Sequence, residues 1–266
     1  MPTIHSSDAQ LFYEVLGEGP SVVLLHPFPL NHRFWSPIVP QLSARYRLII
    51  PDLRAHGTSE LGDGPATMQK LADDLALICR EEKIGKAVFV GVSIGGYLLF
   101  EFWRRYREGV AALVLANTRA AGETPESRAA RLQAADRILR GGTAGFFEEM
   151  LCKLMSPVTR GNRPDIVDAA RGMMQAMSPE DVAGVQGGIA ERPDSIPTLA
   201  TINVPTLIIT GEDDSVPFDE FELMRKGIAG SQLRRIPRAG HYAALERPEE
   251  FRDLLRKFLD VVTSSQ

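Results

Sequence analysis

Cysteine, long apolar runs and clustered positive charge are all scarce in this chain. Cys79 and Cys152 are its two cysteines, and neither belongs to a C-x-x-C pair. We therefore expect reduced thiols, with no disulfide framework and no metal site. No stretch approaches the roughly 18 consecutive apolar residues of a membrane span, and the N-terminus lacks the basic and apolar regions of a secretory signal. These absences predict a soluble, cytoplasmic protein that has no membrane partner.

The distribution of charge excludes another class of partner. The formal net charge is −4, and no run of Lys or Arg exceeds two residues. Because a protein needs clustered basic side chains to hold a phosphate backbone, nucleic acid is not expected as a partner. The 266 residues, of which 44% are hydrophobic, suffice for one large α/β domain or two small ones, and nothing in the sequence demands a second domain.

Short apolar runs bounded by Gly, Pro or Asp recur along the chain. Several lack the alternation of half-exposed strands, which is typical of strands buried on both faces of a parallel sheet. Helical patterns lie between them at Met68–Lys83, Gly95–Tyr106 and Pro248–Val261. This order predicts an α/β fold with a mostly parallel central sheet flanked by helices. The predicted strands are Leu11–Leu16, Ser21–Leu25, Arg47–Ile50, Ala87–Val90, Ala111–Leu115, Pro205–Thr210 and Gln232–Ile236.

One region interrupts the alternation of strands and helices. Residues 122–190 contain helical segments separated by Gly, Pro and Ser, but no convincing strand. We predict that this region is a helical cap inserted into a core domain of residues 1–121 and 191–266, where it would cover the strand ends. Its methionines and phenylalanines either pack the cap helices together or line an apolar pocket.

The segment Gly91-Val92-Ser93-Ile94-Gly95 matches the pattern G-x-S-x-G. An apolar, strand-like run precedes it and a helical pattern follows it, which is the strand-turn-helix context of a nucleophile elbow. The turn of such an elbow is so sharp that small residues are needed beside the serine. The pattern therefore predicts that the Ser93 hydroxyl is held out at the top of the sheet as a nucleophile.

A serine nucleophile needs a base that is itself oriented by a carboxylate. In the chain order serine, acid, histidine, His241 is the one histidine after Ser93, and it follows the last predicted strand. The acid is expected after the preceding strand, where Asp214 is favoured and Asp213 is the alternative. The other place for an acid carries Asn117, which lacks the charge to stabilise an imidazolium.

Acyl transfer also needs hydrogen-bond donors for the developing oxyanion. One is expected to be the backbone N–H of Ile94, next to the serine. The second is predicted to be the N–H of Phe28, since Pro27 and Pro29 on either side of it have none. The alternative is that the two prolines only shape the loop.

Together these features resemble the α/β-hydrolase superfamily, and the resemblance covers essentially the whole chain. Pro27 and Ala55 stand where that superfamily has glycines, and the first of these narrows the backbone freedom beside the oxyanion hole. The resemblance implies that His26 and His56 are structural. The motifs that carry it are His26-Pro27, Asp52–Ser59, Gly91–Gly96, Gly211–Pro217 and Gly240-His241.

Within the superfamily, residues 26–35 and 115–120 are similar to enzymes of the 3-oxoadipate enol-lactonase type. These stretches supply three candidates for the substrate pocket, His32, Trp35 and Arg119. An arginine at a strand end is able to pair with a substrate carboxylate, and the alternative for Arg119 is a salt bridge within the cap.

The residue at the elbow distinguishes reaction types within the superfamily. Serine rather than aspartate favours an acyl-enzyme, so the resemblance implies a cofactor-free hydrolase that cleaves a carboxylic ester or lactone of a small molecule through Ser93. Two alternatives stay open. One is a ligand receptor on the same fold, which would keep the same residues, and the other is a cofactor-free perhydrolase.

Overall fold

The computed structural model of the protein describes residues 2–264 and contains an eight-stranded sheet. Across the sheet the strands run in the order β1-β2-β4-β3-β5-β6-β7-β8. β2 pairs antiparallel with β1 and β4, and all neighbours from β4 to β8 are parallel. The predicted α/β fold with a mostly parallel sheet is confirmed. The strands are β1 (Thr3–His5), β2 (Gln10–Leu16), β3 (Ser21–Leu25), β4 (Arg47–Pro51), β5 (Ala87–Val92), β6 (Val110–Ala116), β7 (Thr206–Gly211) and β8 (Gln232–Ile236).

Helices flank this sheet and fill the connections between its strands. Some of the longer ones present an apolar stripe to the core, as α12 does with Phe251, Leu255 and Leu259. The helices are α1 (Val39–Ser43), α2 (Met68–Glu81), α3 (Ile94–Tyr106), α4 (Pro125–Gly141), α5 (Ala144–Leu154), α6 (Pro157–Asn162), α7 (Pro164–Met174), α8 (Pro179–Ala190), α9 (Ile196–Leu199), α10 (Phe218–Gly227), α11 (Ala243–Glu246) and α12 (Pro248–Thr263).

The seven strands predicted from the sequence correspond to β2–β8. β1 is missing from that prediction because it has only three residues, of which two are exposed and one is half-buried. An element this short carries too little apolar pattern to be recognised. Its place at the edge of the sheet, antiparallel to β2, explains why it needs no such pattern.

Helices α4–α8 lie between β6 and β7, and we call them the helical insertion. They fall within the region predicted as a cap, and no strand interrupts them in this described part of the chain. α4 and α8 pack against each other. The division into a core and a cap domain stays a prediction. Across residues 2–264, no helix is both long and apolar enough to cross a membrane.

The carboxyl ends of four neighbouring parallel strands meet at one edge of the sheet. β3, β5, β6 and β7 are adjacent in the sheet, and almost all of their residues are buried. In an open α/β sheet, this edge is where ligands bind. The segments that follow these strands carry Phe28, Ser93, Asn117 and Asp214.

Candidate active site

Ser93 lies in the sharp turn between β5 and α3. Its φ of 55° and ψ of −112° fall in a region that residues with side chains rarely adopt. The Ser93 N–H donates to the carbonyl of Ala116 (3.0 Å), which ties the turn to the neighbouring strand β6. Gly91 is required because a Cβ at this position would lie 2.5 Å from the carbonyl carbon of Gly95. The chain thus has the strand-turn-helix geometry that the motif predicts.

His241 and Asp214 form a buried hydrogen-bonded pair. Nδ1 of His241 lies 2.7 Å from Oδ1 of Asp214, whereas Asp213 is exposed. Burial raises the pKa of Asp214, but the imidazole and the hydrogen bonds that the carboxylate accepts outweigh this effect and hold the pKa below its ordinary value. The ionised carboxylate fixes Nδ1 of the imidazole, which leaves Nε2 for a group in the adjoining cavity.

Asn117 holds the second oxygen of the Asp214 carboxylate. Its Nδ2 donates to Oδ2 of Asp214 (2.7 Å) and to the carbonyl of Gly240 (3.3 Å). Its φ of 46° lies in the left-handed region, which Asn tolerates better than most residues. The sequence prediction treats this position only as a place for the acid and misses its role as a donor. Asn117 follows β6, and Asp214 follows the neighbouring strand β7. An amide side chain at the end of β6 was therefore the signal in the sequence.

The two predicted oxyanion donors follow β3 and β5. Ile94 is the first residue of α3, so its N–H has no acceptor within the helix. Phe28 lines the cavity described below, in a turn where the N–H of Leu30 donates to the carbonyl of Pro27 (2.9 Å). Their role as oxyanion donors stays a prediction.

Two buried histidines pack beneath the turn that carries Phe28. Nε2 of His26 accepts from the N–H of Leu53 (2.9 Å), so its Nδ1 carries the proton and donates to the carbonyl of Pro27 (3.1 Å). The ring of His56 packs edge-on against His26 and Phe28. Burial lowers the pKa of His26 to about 3 and also lowers that of His56, so both rings are neutral. These contacts are those of structural residues.

Ser93 and His241 line one cavity of about 190 Å³. The predicted residues Phe28 and Arg119 line it too. Within residues 2–264, no group of three or more His, Cys, Asp or Glu side chains is placed to hold a metal ion. Because its lining combines these residues with six from the helical insertion, the cavity lies between the sheet edge and the insertion. The insertion contributes Arg131, Met150, Lys153, Leu154, Gln186 and Ile189.

Cationic side chains dominate the charge of this cavity. Arg119 and Arg131 contact one oxygen of the buried Glu123 carboxylate at 3.1 and 3.3 Å, and Arg192 contacts the same oxygen at 3.1 Å. Burial raises the pKa of Glu123, but the charge of Arg131, a hydrogen bond with Ser127 and the charge of Arg192 outweigh this effect, and the pKa is lowered to about 2. One carboxylate therefore faces three guanidinium groups. Lys153 also lines the cavity and forms no ion pair in the described part of the chain.

The prediction that His32 and Trp35 line the substrate pocket disagrees with this structure. Nδ1 and the backbone N–H of His32 lie 2.8 and 2.7 Å from Oδ1 of Asp52. Trp35 is fully buried and packs against Phe34 and Phe251. Asp52 holds His32 and the hydrophobic core holds Trp35, and neither residue lines the cavity.

Known hydrolases resemble the chain over almost its whole length. The sequence pattern described as the Alpha/beta hydrolase family matches residues 22–254. A thermophilic esterase from Thermogutta terrifontis, solved with malate bound, is 37% identical and superposes with a TM-score of 0.95, covering 99% of this chain and 100% of the other. The enol-lactonase from Burkholderia xenovorans LB400 is 26% identical with a TM-score of 0.91, over 97% of this chain and 100% of its own. The 3-oxoadipate enol-lactonase 1 of Acinetobacter baylyi is 27% identical over 91% of this chain and 89% of its own. The chain belongs to the α/β-hydrolase family.

Proposed function

We propose that the protein is a cofactor-free serine hydrolase that cleaves a carboxylic ester or lactone of a small molecule through an acyl-enzyme on Ser93. One observation carries the proposal. The imidazole of His241, hydrogen bonded to the buried Asp214 carboxylate, lines the same cavity as Ser93. The relatives named esterase and enol-lactonase support this class of bond.

In the proposed reaction, Nε2 of His241 takes the proton of the Ser93 hydroxyl while Oγ attacks the carbonyl carbon of the substrate. The N–H groups of Phe28 and Ile94 stabilise the oxyanion that develops. The imidazolium then protonates the leaving oxygen, the C–O bond breaks and the acyl-enzyme forms. A water molecule, deprotonated by the same imidazole, hydrolyses the acyl-enzyme. Asp214 stays ionised throughout and stabilises the imidazolium.

A fluorophosphonate probe tests this proposal, because it bonds covalently to an activated serine. We expect peptide mapping to place the label on Ser93 and the protein to hydrolyse short-chain aryl esters. Ser215 also lines the cavity and is the alternative target, so Ser215→Ala is the matched control and is expected to retain the label. An unlabelled protein, or label on Ser215 alone, contradicts the proposal.

Removal of the Asn117 amide is expected to slow turnover about tenfold, because a hydrogen bond to a charged group contributes about 1.5–3 kcal/mol. Asn117→Gly is the suitable variant, since glycine accepts the φ of 46° without strain. The measurement is kcat on an aryl ester, with urea unfolding to show that the fold is retained. An unchanged kcat in a folded variant would mean that Asp214 needs no support from Asn117.

The charge of the cavity further indicates that the substrate carries an anionic group. Arg119 and Arg131 share one carboxylate with Arg192, and Lys153 has no ion-pair partner among residues 2–264. Guanidinium groups bind carboxylates through paired, charge-assisted hydrogen bonds. The esterase relative with bound malate, a dicarboxylate, is consistent with such a site. We therefore propose an ester or lactone with a free carboxylate as the substrate class.

Monomethyl and dimethyl glutarate form a matched pair for this prediction, because they differ in one negative charge and one methyl group. We expect kcat/KM to be about tenfold or more higher for the monoester. Arg119→Gln is expected to lower kcat/KM for the monoester about tenfold and to change that for the diester less than about twofold.

Arg140→Gln serves as the control for a lost arginine, since Arg140 is an exposed side chain on α4 that pairs with Asp136 outside the cavity. It is expected to affect neither substrate. Equal turnover of both esters by the native protein would refute the anionic substrate class and leave the serine mechanism intact.

A further inference from the structure

The backbone on both sides of His241 is held by one buried glutamate. Oε1 of Glu246, the last residue of α11, accepts from the N–H of Gly240 (3.0 Å) and from that of Tyr242 (3.2 Å). Glu246 is 3% exposed, and no Lys or Arg forms an ion pair with it in the described part of the chain. A buried carboxylate is costly unless its oxygens are hydrogen bonded. These backbone N–H groups therefore account for its presence beside His241.

The second oxygen of Glu246 reaches the helical insertion. Oε2 accepts from the N–H of Ser156, in the link between α5 and α6 (2.9 Å). Two residues earlier, the carbonyl of Leu154 accepts from the N–H of His241 itself (2.7 Å). The segment at 154–156 is thus bonded directly to His241 and, through the Glu246 carboxylate, to the N–H groups of Gly240 and Tyr242.

The two segments are also in direct backbone contact. A Cβ at position 240 would lie 2.5 Å from the carbonyl oxygen of Leu154 and 2.5 Å from the nitrogen of Ser156, so Gly240 is required for this approach. Leu154 lines the cavity together with the adjacent Lys153. The segment of the insertion that would contact a substrate is therefore the segment that holds the histidine loop.

We propose that Glu246 is a positioning residue that couples the helical insertion to His241, so that the placement of the insertion over the cavity sets the position of the imidazole relative to Ser93. This inference rests on the proposed function, in which His241 is the base. It assigns to the insertion a part in the chemical step as well as in binding. Loss of the coupling should lower kcat more than it raises KM, because displacement of a reacting group by even 1 Å slows the chemistry.

A backbone substitution at Ser156 isolates the contact with the insertion. Ser156 has a φ of −60° and follows Met155 in an extended conformation, so its backbone angles suit proline, which has no N–H to donate to Glu246. Both Ser156→Pro and Ser156→Ala lose the hydroxyl that caps α6, and they differ in that N–H and in the ring carbon that replaces its hydrogen. Relative to Ser156→Ala, we expect Ser156→Pro to show a kcat about tenfold lower with little change in KM.

A second variant keeps the test decisive if Ser156→Pro does not fold. Glu246→Gln preserves the shape of the side chain but turns an NH₂ group toward one set of the N–H donors. Its kcat is expected to lie between those of the wild type and Glu246→Ala. Labelling by a small fluorophosphonate, which reports the reactivity of Ser93 without large contacts to the insertion, should slow in the same order.

Two results would overturn the coupling. They are equal kcat and labelling rates for folded Ser156→Pro and Ser156→Ala, and wild-type rates for Glu246→Gln. Failure of the proposed function looks different, because Ser93 would then remain unlabelled in the wild type as well.

Discussion

Ser93→Gly and Ser93→Ala are both expected to lower kcat about 10⁴-fold or more, since no other group would form the acyl-enzyme. They should differ in stability. The φ of 55° and ψ of −112° at this position cost a residue with a Cβ roughly 1–3 kcal/mol. Glycine adopts this conformation without that cost. The glycine variant is therefore expected to be at least as stable as the alanine variant, as measured by the free energy of unfolding in urea.

The comparison of the two variants is informative because glycine normally has the opposite effect. At an ordinary backbone position, replacing alanine with glycine destabilises a protein by roughly 0.5–1 kcal/mol. A glycine variant that is less stable than the alanine variant by that amount would show that the turn is relaxed. Retention of more than a thousandth of the wild-type kcat in either variant would show that another group performs the reaction.

Most of the fold was predictable because the buried strands of a parallel sheet leave short, uninterrupted apolar runs in the sequence. β5 and β7 are buried at every residue, and β6 at all but one. The edge strand β1 was not predictable, because its three residues are exposed or half-buried and leave no apolar run. The order of the strands within the sheet also could not be read from their order in the chain, since β4 lies between β2 and β3.

The part of the site that follows strand ends was predictable, because parallel strands carry these segments to one edge of the sheet. The pairing of His241 with Asp214 is the clearest case. The resemblance to enol-lactonases predicted the substrate pocket less well. His32 and Trp35 stand close in sequence to the predicted oxyanion turn, but hydrogen bonds to Asp52 and aromatic packing hold them away from the cavity.

The residues that the helical insertion contributes could not be predicted. Arg131 and Lys153 lie on helices with many exposed residues, where a charged side chain is ordinarily part of the solvated face. Only the packing of α4 and α5 over the sheet edge shows that they face the cavity. The role of Glu246 could not be predicted either, because its partner Ser156 is 90 positions away in the chain and contributes only a backbone N–H.

Asp214→Asn is expected to lower kcat about 10⁴-fold. The carboxylate now accepts a hydrogen bond from Nδ1 of His241, which leaves Nε2 unprotonated and able to take the proton of Ser93. An asparagine amide in the same place can donate to Nδ1 instead. The proton of the neutral imidazole would then reside on Nε2, and the ring would be unable to act as the base. The lost charge would also leave the imidazolium without its buried counter-ion.

Asp213→Asn is the matched control, because it makes the same change one residue earlier. The Asp213 side chain is exposed, and its hydrogen bond to the carbonyl of Ala239 is made by the backbone N–H, which the substitution keeps. We expect its kcat to remain within about twofold of the wild type, since an exposed charge is screened by water. A large loss in this variant, with activity retained in Asp214→Asn, would transfer the role of the acid to Asp213. Comparable losses in both would mean that the loop as a whole, rather than one carboxylate, orients His241.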